Sequence, residues 1–128
     1  MKKKRILIVD DMRTLRMALP VYLGKDEFDF DVAATGREGL EIALKNPPDL
    51  IISDVNMPDM DGLELCRALQ DDAALSAVPV VLISAEWEDV EAVKRSIAAG
   101  ASGLVPKPID SAVLRAAVER ALGIEKSS

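Results

Sequence analysis

Three aspartates, a serine and a lysine stand where the apolar runs of this chain stop. Asp10 and Asp11 follow Ile6-Leu7-Ile8-Val9, Asp54 follows Leu50-Ile51-Ile52-Ser53, Ser84 follows Val80-Val81-Leu82-Ile83, and Lys107 follows Gly103-Leu104-Val105-Pro106. Short apolar runs bounded by turn residues read as buried strands, and strands joined through helices run parallel. Their carboxyl ends share one rim, where these polar groups would meet. Taken singly, each residue has an ordinary structural explanation: Asp pairs cap helices, a strand-end Ser bonds nearby backbone, and a lone Lys is a solvated charge. Four strand ends carrying complementary groups are harder to explain that way. Three crowded carboxylates repel one another unless a cation joins them. Oxygen-only ligands with open positions suit Mg²⁺, which keeps waters and shares phosphate oxygens. An ion there, with Lys107, makes a positive pocket around one carboxylate, suited to receiving a phosphoryl group. With no His and one Cys, hydrolytic chemistry on carbon substrates has little support.

The elements that must position these groups come from a chain of 128 residues, 49% hydrophobic, with net charge −6. That is the size of one domain with one good core. The acidic balance argues against direct nucleic-acid binding. One Cys excludes an internal disulfide and fits a reducing compartment. No apolar stretch approaches the roughly 20 residues of a membrane span. The basic run at 2–5 is followed by too few apolar residues for a signal peptide. A cytoplasmic domain over residues 1–124 is expected, with a frayed tail at 125–128.

In order, a strand at 6–9 leads to a helix over 12–23, with Met12, Leu15, Leu19, Tyr22 and Leu23 near helical spacing. Pro20 should kink or end that helix and Gly24 closes it. Residues 28–32 alternate apolar and acidic, the mark of a strand with one wet face or of an edge. Thr35 and Glu38 have capping-box spacing for a second helix with Leu40, Ala43 and Leu44 inward. Asn46-Pro47-Pro48 stops it before the Asp54 strand. Asp61-Gly62 opens a third helix with Leu63, Cys66 and Leu69 on one side, so Cys66 reads as a small buried hydrophobe. Residues 71–77 form a polar-to-small connection before a buried strand at 78–83. Val90, Val93 and Ile97 recur at helical spacing up to Gly100. The strand at 103–106 carries a Pro and belongs at an edge. Asp110 or Ser111 caps a last helix striped by Leu114, Ala117, Val118, Ala121 and Leu122, ended by Gly123. Five strands alternating with five helices make an α/β fold, a parallel sheet covered on both faces. The strands at 28–32 and 103–106 are its edges; the order of the other three stays open.

The runs Ile-Val-Asp-Asp at 8–11, Ser-Asp-Val-Asn-Met-Pro-Asp-Met-Asp-Gly at 53–62, Ile-Ser-Ala-Glu at 83–86, and Gly-Ala-Ser-Gly then Lys-Pro within 100–108 resemble those of bacterial response-regulator receiver domains, a likeness covering residues 4–122. The resemblance implies a three-layer, doubly wound, flavodoxin-like sheet of order 2-1-3-4-5. It implies that Asp54 is the phosphoacceptor, served by a sensor histidine kinase or phosphotransfer protein of a two-component system. It further implies Mg²⁺, with Mn²⁺ as a substitute, held by Asp11, Asp54 and the backbone carbonyl of Asn56, and by Asp10 through a water. Lys107 would pair with Asp54 or its phosphate, Ser84 would bond a phosphoryl oxygen, and Lys107-Pro108 would be cis. Asn56 and Glu86 match positions that tune phosphate loss, and as polar residues they predict a short-lived phosphoryl state. Such a domain is a switch for a downstream protein or output domain, not a turnover enzyme.

One departure stands out. The family usually has Tyr or Phe three residues before the Lys, and here Leu104 holds that place, without ring or hydroxyl. The loop after Ser84 is therefore expected to carry most of the change, altering a face made by residues 87–99, Leu104 and residues 110–122. Trp87, the one Trp, either packs at a helix start or anchors a partner on that face. Leu104 also gives the alternative of a phosphorylation-independent binding module its one encouragement. A phosphatase or phosphotransferase with an Asp nucleophile would want a second acid where Asn56 stands. Homodimerisation through the last helix is permitted by the pattern without being required.

Overall fold

The computed structural model describes residues 3–124; the expected tail at 125–128 lies outside them. The elements alternate as β1 (Lys4–Val9), α1 (Arg13–Leu23), β2 (Phe28–Ala33), α2 (Gly36–Lys45), β3 (Leu50–Asp54), α3 (Gly62–Gln70), β4 (Val80–Ser84), α4 (Val90–Ala98), β5 (Gly103–Pro106) and α5 (Ser111–Leu122). The five strands are parallel in the order β2-β1-β3-β4-β5. The alternating strand and the Pro-bearing strand are the two edges, as their sequences demand.

Because successive strand side chains point to opposite faces, the central strands fill two cores at once. Leu7, Val9, Ile51 and Leu82 face Leu65, Cys66 and Leu69 of α3. Ile6, Ile8, Ile52, Val81 and Ile83 face Leu19 and Leu23 of α1 and Leu114 and Val118 of α5. Cys66 is the packed hydrophobe its spacing implied, and burial pushes its thiol pKa up. β2 guards its free edge with Asp31, paired to Arg5 of β1.

Several local expectations change. Pro20 is buried inside α1 and does not end it; the helix runs to Leu23 and closes at Gly24, whose φ is 102°. Only Leu19 and Leu23 of its spaced apolar residues are buried, while Met12 and Tyr22 are exposed. On α2, Thr35 caps the Glu38 N–H as expected, but the Glu38 carboxylate accepts from Ala34 instead of Thr35. Leu44, expected inward, is exposed, and Ile42 packs against the core. The 71–77 connection is not merely polar: Leu75 is fully buried. On α4 the spaced residues Val90 and Ile97 point to solvent, and the small residues Ser96 and Ala99 are the buried ones. Helical spacing fixes which residues share a face, not which neighbour that face meets.

One glycine bears directly on the rim. Gly62 opens α3 against the end of β3, and a side-chain carbon there would overlap the Asp54 backbone carbonyl. Asp61 caps the helix in a complete capping box with Glu64. α3 is thereby butted against the residue that ends β3.

Candidate functional site: an acidic rim facing one lysine

Strand register brings the polar groups to one level. Val9 lies beside Ser53, so Asp10 is next to Asp54. Asp54 lies beside Ile83, one residue before Ser84, which pairs with Pro106. The Lys107 N–H then donates to the Ser84 carbonyl at 3.0 Å. Asp10, Asp54 and Ser84 are almost wholly buried, and Asp11 is exposed.

Lys107 reaches over the edge of β5 and places its Nζ 2.7 Å from Asp54 Oδ2. The other Asp54 oxygen accepts the Asn56 N–H at 3.1 Å. Asp10 Oδ1 accepts the Met12 N–H at 2.8 Å, whereas Asp10 Oδ2 is buried with no hydrogen-bond partner among the described residues. One oxygen from each of Asp10, Asp11 and Asp54 lies within 4.8 Å of the others. Burial pushes the Asp10 carboxyl up to about 6; the Met12 N–H opposes this, the Asp54 charge adds to it, Lys107 opposes it and Asp11 adds slightly. A buried carboxylate oxygen without a donor, beside two more carboxylates, is a poor arrangement for anions alone and a good one around a hard cation. The donor set therefore fits a divalent ion with oxygen ligands.

The structure brings together Asp10, Asp11, Asp54 and Lys107 as the strand ends implied. Ser84 Oγ accepts the Glu86 N–H at 2.9 Å, leaving the hydroxyl hydrogen for another acceptor. Asn56 and Glu86 are exposed and stand beside the rim through these backbone bonds. The Lys107-Pro108 bond is cis. Leu104 lies elsewhere, half-buried in a cavity of about 220 Å³ that it shares with Val93, Ser96, Ile97 and Ala101, between α4 and β5. Arg16 belongs to none of the strand-end motifs, yet its Nη1 donates to the Asp10 backbone carbonyl at 2.7 Å. Its signal was a long cation early in a helix that begins at the rim, since helical side chains lean back toward the N-terminus.

A family model described as the response regulator receiver domain matches residues 6–119. The chain belongs to that family. Among curated relatives, this receiver domain is 36% identical over 121 residues to the transcriptional regulatory protein CseB of Streptomyces avermitilis, covering 94% of this chain and 50% of that protein. It is 38% identical over 114 residues to the response regulator PleD of Caulobacter vibrioides, covering 89% of this chain and 25% of PleD. The chain thus spans half or less of those relatives' length. Among solved structures, chemotaxis protein CheY4 of Vibrio cholerae superposes with a TM-score of 0.87 at 32% identity, covering 94% of this chain and 99% of that one. The signal receiver domain of a signal transduction histidine kinase from Syntrophus aciditrophicus gives 0.85 at 36% identity, covering 98% and 95%. This is the α/β, flavodoxin-like receiver fold of two-component response regulators. No helix among the described residues is long and apolar enough to cross a membrane.

Proposed function

We propose that this receiver domain is a phosphorylation-dependent switch in which Asp54 takes a phosphoryl group from a phosphohistidine of a sensor histidine kinase or phosphotransfer protein. The observation that carries the reading is the Lys107 ammonium 2.7 Å from Asp54, within a ring of carboxylates that includes one buried oxygen lacking a donor. In the transfer an Asp54 oxygen bonds to phosphorus while the phosphorus–nitrogen bond breaks, and the imidazole nitrogen keeps the electron pair. Lys107 stays against the charge on the phosphoryl oxygens, and the Ser84 hydroxyl donates to one of them. Asp11, Asp54 and the Asn56 carbonyl would hold Mg²⁺ or Mn²⁺, with Asp10 contributing through a water. Bound there, the ion supplies charge neutralisation. Asn56 and Glu86 set how fast water removes the phosphoryl group. Beside Lys107 a largely apolar groove of about 340 Å³, lined by Met12, Leu15, Tyr22, Pro108 and Ile109, gives the donor protein a surface to approach.

The output runs through the α4-β5-α5 face. Movement of Ser84 pulls on the exposed loop 85–89 that carries Trp87, and α4 follows. Its outward Val90 and Ile97 and the cavity at Leu104 are what a downstream protein, an output domain or a second copy would meet. Leu104 repacks there in place of an aromatic rotation. The domain covers residues 1–124, acts in the cytoplasm, and turns over no substrate beyond its own phosphate.

Incubation with acetyl phosphate and Mg²⁺, followed by intact-mass measurement, tests the reading. A single phosphoryl adduct, lost in Asp54→Asn and without Mg²⁺, is expected; no adduct under any condition, with acetyl phosphate consumed no faster than without protein, leaves only the phosphorylation-independent binding module. Unchanged phosphate loss in Asn56→Ala and Glu86→Ala would remove their tuning role.

A further inference from the structure

We infer that Arg16 is a positioning residue for the cation-binding rim and acts through Asp11. The inference rests on the reading above that Asp10, Asp11 and Asp54 hold a divalent ion.

Asp10 is tied from three sides. Its N–H donates to the Ala33 carbonyl at 3.1 Å, its Oδ1 accepts from Met12, and its own carbonyl accepts from Arg16. Asp11 is exposed, and no hydrogen bond among the described residues holds its carboxylate. Its direction is set by the peptide that joins it to Asp10. That unit is planar, so fixing the Asp10 carbonyl fixes the Asp11 nitrogen and Cα as well. The Arg16 side chain holds that carbonyl at 2.7 Å.

The Arg16 N–H donates to the carbonyl of Met12, the N-cap of α1, at 3.1 Å, an ordinary first helical bond that fixes where the Arg16 side chain starts. The grip specific to Arg16 is its guanidinium on the Asp10 carbonyl. Arg16 makes no ion pair among the described residues, so the carbonyl is where its guanidinium is used. A charged donor to a carbonyl outlasts a neutral one, and the guanidinium fork loses less freedom than an ammonium in holding it. Without this grip the Asp10–Asp11 peptide can rotate and swing the Asp11 carboxylate off the rim. Asp10, held by β2 and Met12, would stay.

The test is a Mg²⁺ titration of the whole chain by calorimetry, with melting measured without and with Mg²⁺. In Arg16→Ala the Mg²⁺ dissociation constant should rise about tenfold, the lower end of what loss of an outer partner does to a metal site. The Mg²⁺-induced rise in melting temperature should shrink, with Arg16→Lys recovering part of it. In an Asp11→Asn background, Arg16→Ala should leave the residual rise unchanged. A metal-free melting loss with the Mg²⁺-induced rise intact makes Arg16 merely structural and overturns the inference. So does a further fall in the Asp11→Asn background. Should Arg16→Ala fail to fold, Arg16→Gln and Arg16→Lys carry the same comparison. A wild-type chain that binds no Mg²⁺ removes the metal reading and this inference together, whereas equal binding by wild type and all Arg16 variants removes the inference alone.

Discussion

The acid rim and the α4 flank are built on opposite terms. At the rim, polar groups are buried and tied: Asp10, Asp54 and Ser84 are at most 3% exposed, and each takes part in a hydrogen bond to a neighbouring loop or strand. On α4, apolar groups are left in water, with Val90 and Ile97 64% and 68% exposed, while Ser96 and Ala99 make the inner contact. α5 is the control. It too begins at an Asp cap, but it buries Leu114 and Val118 and packs on α1, β3, β4 and β5, whereas the contacts of α4 with every other element are weaker. The difference teaches where the molecule resists change and where it yields. A disturbance at the rim meets groups with nowhere to go, and the lightly held helix beyond Ser84 can move at small cost.

The sharpest test of that contrast is mutational. Leu114→Ala should cost about 2–5 kcal/mol in urea unfolding, the range for emptying a packed site. Ile97→Ala should stay within about 0.5 kcal/mol, as for surface changes. Similar losses in the two would break the comparison.

The rim should also declare itself through pH. Asp10 has a folded pKa of about 6 against an ordinary value of 3.8, so the folded state holds its proton more tightly than the unfolded state. Metal-free stability from this group is greatest below about pH 4, falls as pH rises from about 4 to 6, and is lost above. The span is up to about 3 kcal/mol. Comparing wild type with Asp10→Asn in chelator across that window isolates the slope. Mg²⁺ affinity should rise through the same window, because the ion no longer competes with the proton. A wild-type curve parallel to that of Asp10→Asn would mean that the rim tolerates its crowded charge without strain.

Gly62→Ala should cost about 1–3 kcal/mol by forcing α3 off the end of β3, read by thermal melting; no loss would mean that the contact is slack. The smallest effect expected is optical. Trp87, 45% exposed, should change its emission on phosphorylation with little change in stability, and silence there would confine the response to the rim.

Each feature is legible in the sequence only as far as its physics leaves a local pattern. Strand ends were readable because apolar runs are short and stop abruptly at charged residues. The edges were readable because alternation and Pro are intolerable in the middle of a sheet. The order of the central strands was not in any local pattern and came only through family likeness. The orientation of α4 escaped because its period is shared with a buried helix, and the inner surface, made of Ala and Ser, leaves no apolar trace. Arg16 escaped because it acts through a main-chain carbonyl, which carries no residue identity, and Leu75 because a single apolar residue in a polar stretch has no period.

The butt joint between Gly62 and the Asp54 carbonyl has a directional consequence. With Asp54 phosphorylated as proposed, a strand so wedged from behind could not recoil from the added bulk and charge, and the push would travel sideways across the sheet. The neighbour on one side, β1, is braced by the clamped turn at Asp10. What would yield under that proposal is the other side, through β4 and the loop beyond it, a helix start placed against one backbone oxygen making the sheet a one-way lever.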